Sequence, residues 1–302
     1  MPLIAIAGPT ASGKTQFSLQ LARALNGEII CADSRQIYKD MDIGTAKPTA
    51  EELTQAPHHL FDCIDPRDTY SVATYRHTAQ AHIADIESRQ KQPLLVGGTG
   101  LYFRTLLYNY GLPEVPAQPE LRAALEQQPL EDLKAELLSV DPIAGERIHL
   151  NDRFRLVRAL EVYKTTGKPI SSFQTRSRGL SMPCIYVGLR LPKAYLYTRI
   201  QQRIEMMFEQ GLIAEVQRIQ DKYGKDLPLL KTLNYAEVVA HLEGEYTLAE
   251  TKEKMFISTR QYARRQRTWF QRDAEIHWFD ITGPEDIQDA VQWVLETTKA
   301  HV

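Results

Sequence analysis

Gly8-Pro9-Thr10-Ala11-Ser12-Gly13-Lys14-Thr15 follows the apolar run Leu3-Ile4-Ala5-Ile6-Ala7 and precedes a helical pattern of Phe17, Leu19, Leu21, Ala22 and Leu25. The stretch fits G-x-x-x-x-G-K-[ST], with strand, loop and helix in the order that signature requires. Two glycines let the backbone wrap an anion, so that successive N–H groups and a helix N-terminus point at one phosphate. Lys14 adds positive charge, and the Thr15 hydroxyl is a candidate Mg²⁺ ligand. The plain alternative is a glycine-rich turn, and the loop by itself does not say which phosphate compound it holds.

Outward from the loop, Glu28-Ile29-Ile30-Cys31-Ala32 reads as a second buried strand, bounded by the turn-forming Asn26-Gly27 and ended by Asp33-Ser34. Strand, helix and strand in this order imply a parallel unit, in which ligands sit outside the carboxyl ends of the strands. Polar turns from Lys39 to Arg67 read as surface covering. A helix from about Ser71 to Arg89 then leads to a third strand, Pro93-Leu94-Leu95-Val96, which stops at Gly97-Gly98-Thr99-Gly100. Gly8, Asp33 and Thr99 are therefore expected on one rim. A carboxylate there either binds Mg²⁺ or accepts a proton from a nucleophile, unless it only caps a helix. A nucleoside triphosphatase usually has a strand ending in an Asp for Mg²⁺, yet Pro93-Leu94-Leu95-Val96 ends in Gly97, which weakens a hydrolase reading.

The densest proline cluster, Gly111 to Pro119, marks a domain boundary. Helical patterns follow at Leu121–Gln127, Leu130–Val140 and Asp152–Thr166, and Cys184 to Leu189 returns to the sheet. The expected fold is α/β: a P-loop NTPase-like parallel sheet core flanked by helices, residues 1–112 and 184–302, with a helical insertion domain over 113–183. Further helices are expected at Lys193–Gln210, Leu212–Tyr223, Asn234–Leu242 and Thr247 to about Gln271, then a strand at Ile276–Asp280 and a last helix after Pro284.

The net charge of −2 names no partner, but positive charge is clustered along the chain. Arg155 and Arg158, three apart, share a helix face, while Leu156, Val157 and Leu160 point elsewhere. Such arginines close over a transferred phosphate in a nucleotide kinase, hold a backbone in a nucleic-acid binder, or simply face solvent. Lys252, Lys254, Arg260, Arg264, Arg265, Arg267 and Arg272 give the long C-terminal helix the footprint expected for a phosphate backbone. Arg199 and Arg203, four apart, are placed to reach a diphosphate. Three scattered cysteines suit a reducing compartment, His58 and His59 have no ligand companions, and neither a secretory leader nor a membrane-spanning run is apparent. The expected location is the cytoplasm. On these residues a small-molecule kinase and a nucleotide-dependent RNA-binding switch both remain open.

Six stretches in register, namely Gly8–Thr15, Ala32–Tyr38, Gly44–Pro48, His58–Leu60, Val96–Tyr102 and Asn151–Val162, resemble the tRNA dimethylallyltransferase family. The resemblance runs from Pro2 to about Asp273. It implies transfer of a dimethylallyl group from dimethylallyl diphosphate to N6 of the adenosine immediately 3′ of the anticodon, with release of pyrophosphate. Gly8, Pro9, Thr10, Ala11, Ser12, Gly13, Lys14 and Thr15 would hold the diphosphate, with Mg²⁺ on Thr15. Asp33 would be the base, with Thr15, Thr99 and Arg203 at the reacting centre. Asp33, Ser34, Arg35, Gln36, Thr99, Arg122, Arg155, Leu156, Val157, Arg158 and Ala159 match tRNA-contacting positions. The partners implied are tRNA and dimethylallyl diphosphate, with no membrane, and the chain is expected to act as a monomer. Leu233-Asn234-Tyr235-Ala236-Glu237 departs from the Gly-Tyr-Lys/Arg pattern common in the family.

Overall fold

The computed structural model describes residues 1–113, 115–174 and 179–300; Glu114, within the proline cluster, lies outside them. Two compact units emerge, one of residues 1–106 and 182–302 and the other of residues 107–181.

In the first unit, β1 (Leu3–Ala7) leads through the phosphate loop into α1 (Lys14–Leu25) and β2 (Gly27–Ala32). A one-turn helix α2 (Ala50–Leu53), a two-residue strand β3 (His58–His59), α3 (Val72–Ser88), β4 (Gln92–Gly97) and α4 (Gly100–Leu107) follow. After the second unit come β5 (Cys184–Arg190), α10 (Lys193–Glu209), α11 (Leu212–Tyr223), a 3₁₀ turn at Pro228–Lys231, α12 (Tyr235–Leu242), α13 (Leu248–Phe270), β6 (His277–Asp280) and α14 (Pro284–Lys299). The six strands form one parallel sheet in the order β3-β2-β4-β1-β5-β6. β1 and β2 are buried along their whole length, which is why they read as continuous apolar runs and not as alternating ones.

Register decides where the site lies. Gly97 of β4 is the partner of both Ala7 of β1 and Ala32 of β2. Three strands therefore end level, and Gly8, Asp33 and Gly98-Thr99 leave the sheet side by side, as the strand pattern led one to expect.

The stretch 39–67 is more than covering. His58 and His59 pair with Ile29 and Ile30 as the edge strand, and Met41 and Leu60 are buried. Two residues are too few to show a period, so no sequence pattern marks β3.

The second unit comprises α5 (Pro119–Glu126), α6 (Leu130–Val140), α7 (Pro142–Arg147), α8 (Arg153–Thr166) and α9 (Ile170–Phe173). Leu133 and Leu137 of α6 pack on Leu156, Ala159 and Leu160 of α8. The unit begins at residue 107 and not at 113, because α4 runs on through the boundary and the proline cluster lies inside the unit.

At the start of β2, buried Glu28 accepts hydrogen bonds from Arg89 and from His59 (2.7 Å), with Lys91 Nζ at 3.1 Å. Arg89 holds the carboxyl well below the usual carboxylate range, against the opposing effect of burial. A depressed carboxylate contributes stability above its unfolded value of 4.5 and loses it as pH falls. Glu28→Gln is therefore expected to cost about 2 kcal/mol at pH 7, reduced because Arg89 is partly solvated. Urea unfolding should show the gap to wild type narrowing as pH drops below 4.5.

Candidate active site

The loop between β1 and α1 is held from three sides. Gly13 adopts φ +94° and Ala11 φ +63°, the turn geometry that brings the chain round to the start of α1. A Cβ on Gly8 would lie 2.9 Å from Leu189 O, so β5 packs directly under the loop. The Lys14 ammonium donates to Gly8 O (2.9 Å) and Pro9 O (2.7 Å). From α10, Arg203 Nη1 donates to Thr10 Oγ1 (3.0 Å), and Arg199 Nη2 lies 3.8 Å from where a Gly13 Cβ would stand. Both arginines thus flank the loop.

Burial, then the charge of Arg203, pushes Lys14 down to about 7, with Asp33 pulling the other way. Burial and Arg199 push Arg203 down to about 10. Cations whose charged forms are penalised where they stand mark a site built for a polyanion, which would relieve both. Ser12 Oγ is buried in the loop and has no hydrogen-bond partner among the described residues.

Opposite the loop, Asp33 Oδ1 accepts from Arg35 N (2.9 Å), an Asx turn that fixes the carboxylate at the end of β2. Thr99 N donates to Ala32 O (3.0 Å), and Thr99 Oγ1 accepts from Ser34 N (2.9 Å). A Cβ on Gly97 would overlap the Ala32 carbonyl, so the two strand ends meet this closely only with glycine there. The Trp269 indole covers Gly100, and the Arg104 guanidinium lies 4.3 Å from that ring's centroid. Trp269 and Phe270 of α13 are packing groups; Phe270 meets Phe103 edge-on at 5.4 Å.

Two buried polar residues of this rim carried no motif. Gln266 of α13 accepts from Thr10 N and donates to Gly98 O. Glu215 of α11 accepts from Ile43 N (2.7 Å), Gly44 N (3.0 Å), Asp42 N (3.2 Å) and the Tyr235 hydroxyl (2.8 Å). The loop so anchored takes two hydrogen bonds from Gln36 Nε2, at Thr45 O (3.1 Å) and Ala46 O (2.9 Å). The Gln36 amide therefore tethers the Asp33 turn to that loop. Asn234, within the stretch Leu233–Glu237, has φ +70°, and its side chain donates to Gly44 O (2.8 Å).

The insertion residues divide by burial. Leu156, Val157 and Ala159 are core residues of the second unit, 0–4% exposed, so only their backbone is available to a partner. Arg158 and Arg122 both pair with buried Glu161, and Arg158 also donates to Val115 O. Arg155 is two-thirds exposed, with Asp152 at 3.4 Å.

A phosphate loop facing a carboxylate and a threonine across the carboxyl edge of a parallel sheet defines a P-loop group-transfer enzyme. The family described as IPP transferase matches residues 36–273, and that described as isopentenyl transferase matches residues 1–63. The tRNA dimethylallyltransferase of Gloeothece citriformis is 46% identical, over 98% of this chain and 96% of its own length. That of Bacillus subtilis is 41% identical, over 95% and 93%. The crystal structure of the tRNA isopentenylpyrophosphate transferase of Bacillus halodurans shares 37% identity and a TM-score of 0.72, covering 99% of this chain and 97% of that one. A eukaryotic dimethylallyltransferase captured acting on tRNA gives a TM-score of 0.80 at 30% identity, covering 92% and 73%. The chain belongs to the tRNA dimethylallyltransferase family of prenyltransferases, which removes the kinase and the non-catalytic switch from consideration.

Glu215→Gln would turn an amide N–H₂ toward backbone donors and is expected to cost about 3 kcal/mol. Thermal unfolding should show the loss, with the Met41–Lys47 segment gaining amide hydrogen exchange first.

Proposed function

We propose that this chain transfers the dimethylallyl group of dimethylallyl diphosphate to N6 of the adenosine immediately 3′ of the anticodon in tRNA. The N6–C1 bond forms as the C1–O bond breaks, pyrophosphate leaves with the bonding electron pair, and the N6 proton passes to the Asp33 carboxylate. The observation that carries this reading is the level ending of β1, β2 and β4, which sets a polyanion loop beside a carboxylate on one rim.

An aromatic exocyclic amine is a weak nucleophile at neutral pH, so a fixed carboxylate that accepts its proton during bond formation is the chemistry required. The Asx turn at Arg35 and the Thr99–Ser34 hydrogen bond hold that group still. Lys14, Arg199 and Arg203 neutralise charge growing on the leaving pyrophosphate. The donor set also fits Mg²⁺. The Thr15 hydroxyl at the start of α1 supplies one oxygen, and a magnesium site of this kind takes its remaining ligands from phosphate and water, so no cluster of protein carboxylates is needed. Among the described residues there is none. Such an ion would add charge stabilisation at the phosphates. The target base must leave its stack to reach the rim, and Arg155, the most solvated cation of α8, would hold phosphate during that extrusion. Arg122 and Arg158 support the same face, braced on Glu161. The chain acts alone, as a monomer.

Incubation with dimethylallyl diphosphate, Mg²⁺ and unmodified tRNA, followed by nucleoside mass spectrometry, should reveal N6-dimethylallyladenosine; consumption of ATP without that product refutes the reading. Asp33→Asn is expected to lower turnover by about 10²–10⁴-fold with tRNA affinity retained. Arg155→Ala should leave stability unchanged while weakening tRNA binding and reducing its salt slope by about one, read from filter binding across a salt series.

A further inference from the structure

Gln266 joins the two loops that the proposed transfer needs in register. Its Oε1 accepts from Thr10 N at 2.8 Å, and its Nε2 donates to Gly98 O at 3.0 Å. Thr10 belongs to the phosphate loop, and its hydroxyl carries Arg203. Gly98 precedes Thr99, whose hydroxyl holds the backbone of Ser34 next to Asp33. One primary amide thus links the donor side of the rim to the acceptor side.

The amide sits in a space made for it. Gln266 is 6% exposed, and a Cβ on Gly98 would overlap Nε2. Its helix is anchored on either side by buried Ala263 and Phe270. A side chain here must offer one acceptor and one donor at the same reach, with no charge to desolvate; an amide does both. A carboxylate offers two acceptors, and an apolar side chain leaves Thr10 N–H and Gly98 O buried without partners.

We infer that Gln266 is a positioning residue for the transfer, fixing the separation between the diphosphate loop and the Asp33–Thr99 side so that N6 meets C1 in line. The inference rests on the prenyl-transfer reading above. It requires the effect to fall on the chemical step: the charges that hold the diphosphate stay in place, whereas small misplacements of reacting groups cost rate steeply.

The test is steady-state kinetics of Gln266→Glu and Gly98→Ala from pH 5.5 to 8, with melting temperatures measured alongside. Ionised, the new carboxylate still accepts from Thr10 N–H but has no proton for Gly98 O. Protonated, it reproduces both hydrogen bonds. Gln266→Glu should therefore lose about 30-fold in kcat at pH 8, with KM for dimethylallyl diphosphate within about twofold of wild type. Its rate relative to wild type should climb as pH falls. The titratable and charged groups around these loops are Lys14, Asp33, Arg35, Arg199, Arg203, Tyr262 and Arg265. All are present in wild type, so the ratio removes their own titration. Gly98→Ala, which pushes the amide away from the other side, should show a similar kcat loss with no recovery in acid, and it decides the matter if Gln266→Glu does not fold. Folded variants with kcat within twofold of wild type at every pH, or a loss confined to KM, overturn the inference. Wild-type protein that prenylates no tRNA overturns the transfer reading itself and takes this inference with it.

Discussion

The backbone of β4 approaches that of β2 so closely at Gly97 that no side chain fits between Gly97 and the Ala32 carbonyl. That contact, together with the pairing of Gly97 with Ala7, brings three parallel strands to a common end. A phosphate loop, a carboxylate and a threonine hydroxyl emerge from those ends as immediate neighbours. Each comes from a different connection, and a one-residue shift of any of the strands would turn its group away from the other two, because such a slip reverses every side chain of that strand.

The rim is held less by its motifs than by what surrounds them. Glu215 gathers three successive backbone N–H groups of the loop after Met41, Gln36 binds that loop to the Asp33 turn, and Gln266 bridges the turn after β4 and the phosphate loop. These contacts are buried or partly buried, so each lost hydrogen bond carries a desolvation cost that a surface contact would not. The electrostatics run the opposite way on the two sides. Lys14 and Arg203 crowd one another with their charged forms disfavoured, while Asp33 lies on the far side as a negative group whose field favours the charged lysine. Positive charge is thus stored on one side of the rim and negative charge on the other.

Much of this was legible before any coordinate. The buried apolar runs before Gly8, Asp33 and Gly97 exposed the parallel sheet, and glycines at the strand ends exposed the rim. The insertion's helices were readable because Gly167 and the prolines punctuate them, but its beginning was not, since α4 carries an unbroken apolar face past the point where the contacts change unit. The edge strand at His58 was too short for any period to show. Gln266 and Glu215 were invisible for another reason: their backbone partners lie 168 to 256 residues away, and no local pattern distinguishes a buried glutamine or glutamate from a solvated one. At Leu156, Val157 and Ala159 the resemblance names residues whose side chains are buried in the core of the insertion, which their place in the helix pattern alone did not show.

The most direct measurement of the central claim is a crystal structure of the protein with the unreactive thiolodiphosphate analogue of the donor and an unmodified anticodon stem-loop. The account predicts the diphosphate oxygens within hydrogen-bond reach of the Gly8–Thr15 loop and the extruded adenine's N6 about 3 Å from the Asp33 carboxylate. A diphosphate bound away from that loop, or an N6 that faces any other acceptor, would contradict it.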